Sequence, residues 1–110
     1  NMRQFSSREK EIIGKIKEKI HEVNPEAEIW LYGSRARGDV HAESDWDILI
    51  LLNEEKVSRM DEMPYRDSIF DLQLEYEESI SIFALSKKEW DEKHRITPFY
   101  ENVKSEGVLI

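Results

Sequence analysis

The chain has 110 residues, and its 24 acidic residues against 16 Lys and Arg give a formal net charge of −8. This length predicts one domain with a single core, and we take Met2 as its start, so that it covers residues 2–110. The negative charge argues against strong nucleic-acid binding, which depends on Lys and Arg. The sequence has no cysteine, which excludes disulfides, cysteine zinc sites and thiol nucleophiles and suits a reducing cytoplasm. No apolar run approaches the roughly 20 residues of a membrane helix.

The first half of the chain predicts one helix and two strands. Residues 5–24 carry apolar side chains on one helical stripe and predict an amphipathic helix. Residues 28–33 form a short apolar run rich in aromatic and branched residues, which indicates a buried strand. Residues 34–44 are polar and contain Gly38, which predicts a turn or one helical turn, followed by a loop. Residues 45–52 predict a second strand, and its continuous apolar second half indicates burial on both faces.

The second half predicts a helix, a strand and two further helices. Apolar residues of segment 64–77 fit helical spacing, but some of them also alternate as in a strand. We favour a helix because the strand before it needs a crossover before the next strand. Residues 80–86 predict the third strand, Ser86 begins a short helix, and 97–107 predict a last helix. Residues 108–110 either pair as an edge strand or pack on the sheet. The order predicts an α/β or α+β domain with a small sheet backed by helices.

Two aspartates stand at the start of the second predicted strand. Asp45 and Asp47 occupy positions i and i+2, so their side chains point to the same face, whereas Trp46 and Ile48 point to the opposite face and anchor the strand. Two ionised carboxylates so placed repel each other unless they lie in water or share a cation. Mg²⁺ prefers oxygen ligands and commonly takes one or two carboxylates together with phosphate oxygens.

A glycine and a serine end the first predicted strand. Gly33 lets backbone amides approach a ligand closely, and Ser34 adds a hydroxyl at a turn or helix start, which favours anions. Arg35 and Arg37 add cationic donors suited to phosphate. Because sequential strands usually lie adjacent, a polyphosphate on this turn would meet a cation on the carboxylates. Such a combination is typical of phosphoryl or nucleotidyl transfer.

The stretch resembles the minimal nucleotidyltransferases of the polymerase-beta-like superfamily. Their signature is a hydrophobic residue, Gly-Ser, a spacer and then Asp-hydrophobic-Asp-hydrophobic. Here Tyr32-Gly33-Ser34 is followed by the ten residues 35–44 and then by Asp45-Trp46-Asp47-Ile48. The resemblance is close over residues 30–50 and implies the nucleotidyltransferase fold, with a small mixed sheet backed by helices.

The resemblance also implies a role for each matching residue. Gly33 and Ser34 would hold the nucleoside triphosphate, with ATP expected as the donor. Asp45 and Asp47 would be the catalytic carboxylates that bind Mg²⁺. Arg35 or Arg37 would stabilise phosphate charge. The product would be an acceptor hydroxyl carrying a nucleoside monophosphate, expected to be AMP.

One feature of the family is not evident in this sequence. Active members carry a third carboxylate on the next strand, which activates the acceptor hydroxyl, but segment 80–86 contains no acidic residue. Ser81 or Phe83 occupies the corresponding position. Asp71 would replace it if segment 70–76 were the strand, and the other candidate replacements lie near the start of the strand: Glu75, Glu77 and Glu78.

The resemblance leaves two functions open. The first is an active cytoplasmic nucleotidyltransferase whose acceptor comes from outside, because a chain of this length has little room for an acceptor pocket. The second is a catalytically weak, nucleotide-binding, antitoxin-like module. Small members of the family are often encoded beside a helical partner of the HEPN type, so such a partner is expected in either case.

Overall fold

The computed structural model describes residues 3–41 and 44–110. Five helices, one 3-10 turn and four strands occur in these two segments. In chain order they are α1 (Ser7–Val23), β1 (Glu28–Tyr32), α2 (Ser34–Arg37), β2 (Trp46–Leu52), the 3-10 turn (Met60–Glu62), α3 (Met63–Tyr76), β3 (Ile80–Ser86), α4 (Lys87–Glu92), α5 (Pro98–Glu106) and β4 (Val108–Leu109).

The four strands form one mixed sheet in the order β3-β2-β1-β4. Strand β1 is antiparallel to both of its neighbours, while β2 and β3 are parallel. The parallel pair requires a crossover, which α3 supplies. The register places Tyr32 opposite Asp47 on one side and Ser81 opposite Asp47 on the other. The end of β1 and the beginnings of β2 and β3 therefore meet at one edge of the sheet.

Helices cover both faces of the sheet and divide the core into two clusters. On the first face, apolar side chains of α1 and α3 pack against Trp46, Ile48 and Ile50 of β2. On the second face, Trp90 of α4 and Val103 of α5 pack against alternate residues of β2. Because side chains alternate along a strand, Asp47 faces the α4 and α5 side. This double cover explains the continuous apolar run in β2.

The structure confirms the predicted order of elements, with boundaries shifted by one or two residues. Segment 64–77 is helical, as favoured, and the strand interpretation of residues 70–76 is wrong. The C-terminal segment pairs with β1 as a short edge strand. The Thr97 side chain accepts a hydrogen bond from the amide of Tyr100 (3.1 Å) and caps α5, and Pro98 is its first residue.

Helix α1 begins at a complete capping box. The Ser6 hydroxyl accepts the amide of Glu9 (3.1 Å), and the Glu9 carboxylate accepts the amide of Ser6 (2.8 Å). Arg3 donates to the same carboxylate (2.8 Å) and to the carbonyl of Arg35 (2.8 Å). The start of α1 is thus fastened to α2. No helix within the described residues is both long and apolar enough to cross a membrane.

Candidate active site

Gly33 forms a sharp bend between β1 and α2. Its backbone has φ 76° and ψ −160°, a region that is essentially restricted to glycine. Its carbonyl accepts the amides of Ala36 and Arg37, each at 3.1 Å. The amides of Ser34 and Arg35 stand at the head of α2, where no helical carbonyl precedes them. The bend therefore leaves these two amides without a helical partner where β1 ends.

The carboxylate of Asp47 lies directly against this bend. A β-carbon placed on Gly33 would overlap the Oδ2 of Asp47 and lie 3.3 Å from its Cγ. The antiparallel register of β1 and β2 produces this contact, since it sets Tyr32 opposite Asp47. The structure thus brings the predicted glycine-serine bend and one of the predicted carboxylates together. It also explains why only glycine fits at position 33.

The two aspartates form a region of uncompensated negative charge. Asp45 is exposed immediately before β2, and Asp47 is half-buried in its second position. Burial and, to a lesser extent, the charge of Asp45 raise the pKa of Asp47, while Arg37 opposes the shift. Neither carboxylate forms an ion pair within the described part of the chain. Two oxygen donors with unbalanced charge are a donor set that suits a hard divalent cation.

Aromatic side chains line the sheet beside Asp47, and the sequence analysis did not predict that they would lie together there. The rings of Tyr32 and Phe99 lie edge to face with centroids 5.2 Å apart, and Phe83 lies 6.0 Å from Phe99. Burial, followed by the charge of Asp47, raises the pKa of Tyr32 to about 12, so this phenol stays protonated at neutral pH. Side chains alternate between the two faces of β1 and β3, so the face occupied by Asp47 predicts which of their residues lie beside it. This alternation could have identified these aromatic side chains, which we call the aromatic wall.

The position of the third carboxylate is occupied by residues without charge. Ser81 lies opposite Asp47 on the parallel neighbour β3, and Phe83 is the next residue on the same face. Within residues 3–41 and 44–110, no three acidic or histidine side chains form a group able to hold a metal ion. The described part of the site therefore contains two carboxylates rather than three.

The structure places the candidate replacements elsewhere. Asp71 is an exposed residue of helix α3 and not a strand residue, so the interpretation of Asp71 as the third carboxylate is wrong. Glu78 lies on the Trp46 side of β2, opposite to the face of Asp47, and accepts a hydrogen bond from the indole of Trp46 (3.0 Å). Glu75 and Glu77 are exposed, in the last turn of α3 and at its C-cap. None of these side chains lies on β3.

Arg35 has a different environment from that expected of a phosphate ligand. It is buried, and its guanidinium pairs with Glu78 (2.9 Å), donates to the carbonyl of Ser44 (3.0 Å) and stacks over Trp46 (4.7 Å to the ring centroid). These contacts join α2 to the start of β2, which favours a structural role for Arg35. The sequence analysis missed the Arg35–Glu78 pair because its members are 43 residues apart.

Arg37 remains the exposed cation of the bend. It pairs with Asp39 (3.0 Å) and Glu106 (3.5 Å), both of which are exposed. Hydrogen bonding to Asp39 raises its pKa further, so the guanidinium is always charged. Its charge also acts on Asp47. Arg37, unlike the buried Arg35, is therefore accessible to a ligand at this edge of the sheet.

Comparison with known proteins identifies the class of protein. The model of the nucleotidyltransferase domain family matches residues 13–109. The chain therefore belongs to the nucleotidyltransferase domain family, and its activity in general is nucleotidyl transfer. A search of curated proteins found no match.

Two solved structures share the fold. One is a toxin-antitoxin with AMP-PNP, with a TM-score of 0.63, 18% identity, and coverage of 87% of this chain and 69% of that one. The other is a mutant of the toxin-antitoxin MntA-HpeT, with a TM-score of 0.62, 16% identity and the same coverage. At these identities the likeness concerns the fold, and it agrees with the expected small mixed sheet backed by helices.

Proposed function

We propose that this chain transfers AMP from ATP to a hydroxyl group of a partner protein, with Mg²⁺ as the cation. The observation that carries the proposal is the contact between the Gly33 bend and the Asp47 carboxylate. A triphosphate seated on the bend would lie beside that carboxylate without any rearrangement of the strands. The solved neighbour with AMP-PNP supports a nucleoside triphosphate as the ligand.

In this proposal the residues of the bend hold the donor. Gly33 leaves room for phosphate oxygens, Ser34 and the amides at the head of α2 donate to them, and Arg37 adds charge. Asp45 and Asp47 hold Mg²⁺, which supplies charge neutralisation for the triphosphate when bound. Arg35 acts indirectly, since it positions α2 against β2.

The chemistry is an in-line displacement at the α-phosphorus. The oxygen of the acceptor hydroxyl forms the new bond, and the bond from the α-phosphorus to the oxygen bridging the β-phosphate breaks. Pyrophosphate leaves, and the hydroxyl proton passes to solvent or to a base of the acceptor. Positioning and charge stabilisation account for most of such a reaction.

The acceptor is supplied by another protein in this proposal. The aromatic wall beside Asp47 is packed within the chain's own second cluster, with Phe83 and Phe99 against Trp90. Both solved neighbours are toxin-antitoxin structures, which supports a partner protein, and the family resemblance makes a small helical protein of the HEPN type our expected partner. We further place the pair in the cytoplasm, where ATP is available and where a chain without cysteine has no need of disulfides.

The proposal is tested by labelling. Purified protein, α-labelled ATP, Mg²⁺ and the purified product of an adjacent gene for an all-helical protein are incubated and separated by electrophoresis. We expect a labelled partner band that is absent without Mg²⁺ and with Asp47→Asn. If the band were labelled from γ-labelled ATP but not from α-labelled ATP, the transferred group would be phosphate, and the proposal would be wrong.

One observation favours a second function. Strand β3 presents Ser81 and Phe83 where a third carboxylate would stand, so activation of an acceptor hydroxyl is weak. The alternative is a module that binds nucleotide and a partner with little turnover. ATP-dependent association with the partner in the absence of any labelled product would support this alternative over the transferase.

A further inference from the structure

Helix α3 is apolar on two sides. Its inner side packs Tyr65, Ile69 and Leu72 into the first core cluster. Its outer side carries three large apolar residues that remain exposed: Met63 (46%), Phe70 (57%) and Leu74 (65%). Large apolar side chains are normally buried, and no element within the described chain fully covers these three.

The exposed residues lie along one side of the helix. Met63, Phe70 and Leu74 stand at i, i+7 and i+11, which places them within a narrow arc of one helical face. We call these three residues and Asp67 the outer α3 face. The spacing of its apolar residues is typical of a helix face that packs against another helix.

The charges beside the stripe that form no ion pair within the described segments are acidic. Asp67 stands on the stripe between Met63 and Phe70, and Asp71 borders it; both are exposed. Neither forms an ion pair with any residue of segments 3–41 and 44–110. The nearby cation Arg66 is engaged by Glu62 (2.8 Å) and the carbonyl of Ile82 (3.2 Å). A complementary surface would therefore be apolar with positive charge.

A second copy of the chain does not meet this requirement. A twofold pairing of two outer α3 faces would set Asp67 and Asp71 of one copy against those of the other. Like charges across an interface repel each other, and each chain already carries a net charge of −8. The acidic stripe favours a different protein as the occupant.

We propose that the outer α3 face binds an amphipathic helix of another protein, and that this helix places Lys or Arg opposite Asp67 and Asp71. The apolar stripe supplies the buried contact, and the two aspartates set the charge of the partner. The site is separate from the Gly33–Asp47 edge, so the proposal does not depend on nucleotide transfer.

The test uses two synthetic helical peptides of about three heptads. Both have the same leucine stripe; one carries lysine at the flanking positions and the other glutamate. Binding to the whole chain is measured by fluorescence anisotropy at physiological salt. We expect the lysine peptide to bind and the glutamate peptide to bind at least about tenfold more weakly.

Matched variants separate this site from general attraction to an acidic protein. The double variant Phe70→Ser with Leu74→Ser should weaken the lysine peptide about tenfold or more, since apolar anchors dominate such contacts. Ile96→Ser is the control, because Ile96 is 94% exposed and lies outside α3. Asp67→Lys should reduce the preference for the lysine peptide.

Three results would overturn the proposal. The first is that the lysine peptide does not bind the unmodified chain. The second is equal binding of the lysine peptide by the double variant and by the Ile96→Ser control. The third is sedimentation of the unmodified chain as a dimer that the double variant abolishes, which would assign the face to a second copy. Circular dichroism of each variant confirms that the exposed substitutions leave the fold intact.

Discussion

Gly33 and Gly14 differ in what a side chain would meet. At Gly33 the backbone is in a glycine-restricted region, and a β-carbon would overlap the Asp47 carboxylate. Gly14 lies inside α1, where a β-carbon would meet no atom within 4 Å. The first glycine is required by geometry, whereas the second costs helix stability.

Opposite effects of alanine are therefore expected at these two positions. Gly33→Ala should lower the free energy of unfolding by about 1–3 kcal/mol, through backbone strain and displacement of Asp47. Gly14→Ala should raise it by about 0.5–1 kcal/mol. Urea unfolding measures both, and ATP binding should be lost only in the first variant. Normal nucleotide binding by a folded Gly33→Ala protein would contradict the assigned site.

Burial, and then the charge of Asp45, disfavour the ionised form of Asp47, as its raised pKa indicates. Asp47→Asn should therefore leave the fold without ligand at least as stable as the original. Mg²⁺ and ATP at about 100 times their dissociation constant should stabilise the unmodified chain by about 2.7 kcal/mol and the variant by much less. Thermal unfolding with and without ligand measures this difference.

The matched control for Asp47 is Asp67→Asn, because Asp67 is an exposed carboxylate on α3. Its ligand-induced shift in melting temperature should equal that of the unmodified chain. An Asp47→Asn protein that kept the full shift would place the cation elsewhere.

At the scale of elements, Glu62 joins the 3-10 turn to β3. Its buried carboxylate accepts the amide of Ala84 (2.8 Å) on the outer side of this edge strand and pairs with Arg66. Glu62→Ala should lower the free energy of unfolding by about 1–3 kcal/mol, because the buried amide would lose its partner. Glu62→Gln keeps an acceptor and should cost less. Equal losses in urea unfolding would show that the hydrogen bond is unimportant.

The start of α1 should depend on pH. Hydrogen bonds from Arg3, and then from Ser6, lower the pKa of Glu9 to about 2 from an ordinary 4.5. A lowered pKa stabilises the fold above pH 4.5, and this contribution is lost as the pH falls toward 2. The partly exposed pair should contribute about 1 kcal/mol at pH 7.

Glu9→Gln measures this contribution. The difference in unfolding free energy between the two proteins should be largest at neutral pH and should vanish near pH 2. A difference that stays constant over this range would assign the effect to packing rather than to charge.

At the scale of the whole molecule, the crossover through α3 determines which residues of β3 lie beside Asp47. It brings β3 parallel to β2 with Ser81 opposite Asp47. Ser81→Asp should therefore supply the third carboxylate and increase the rate of partner labelling by at least about tenfold, within the range of general base catalysis. Ser81→Asn, similar in size and uncharged, is the control. Equal rates for both variants would mean that this position does not face the acceptor.

The sequence by itself determined the elements and the local site. Hydrophobic periodicity and capping residues depend on neighbours within a few positions, so α1, the three longer strands and the last helix were predicted with small boundary shifts. The Gly33–Ser34 bend and the Asp45–Asp47 pair were likewise predicted, because they lie on adjacent strands joined by one short segment.

Only the tertiary structure decided which of these residues face a ligand. Arg35 pairs with Glu78, which is distant in the chain, and this pairing depends on where α3 ends. The position of the uncharged residues Ser81 and Phe83 beside Asp47 depends on the register between β2 and β3. The packing of α3 sets this register. The sequence of α3 carries apolar residues on both sides of the helix. Only the tertiary structure therefore shows which of the two sides stays exposed. Contacts between residues that are distant in the chain, rather than local spacing, decide which of the predicted residues face a ligand.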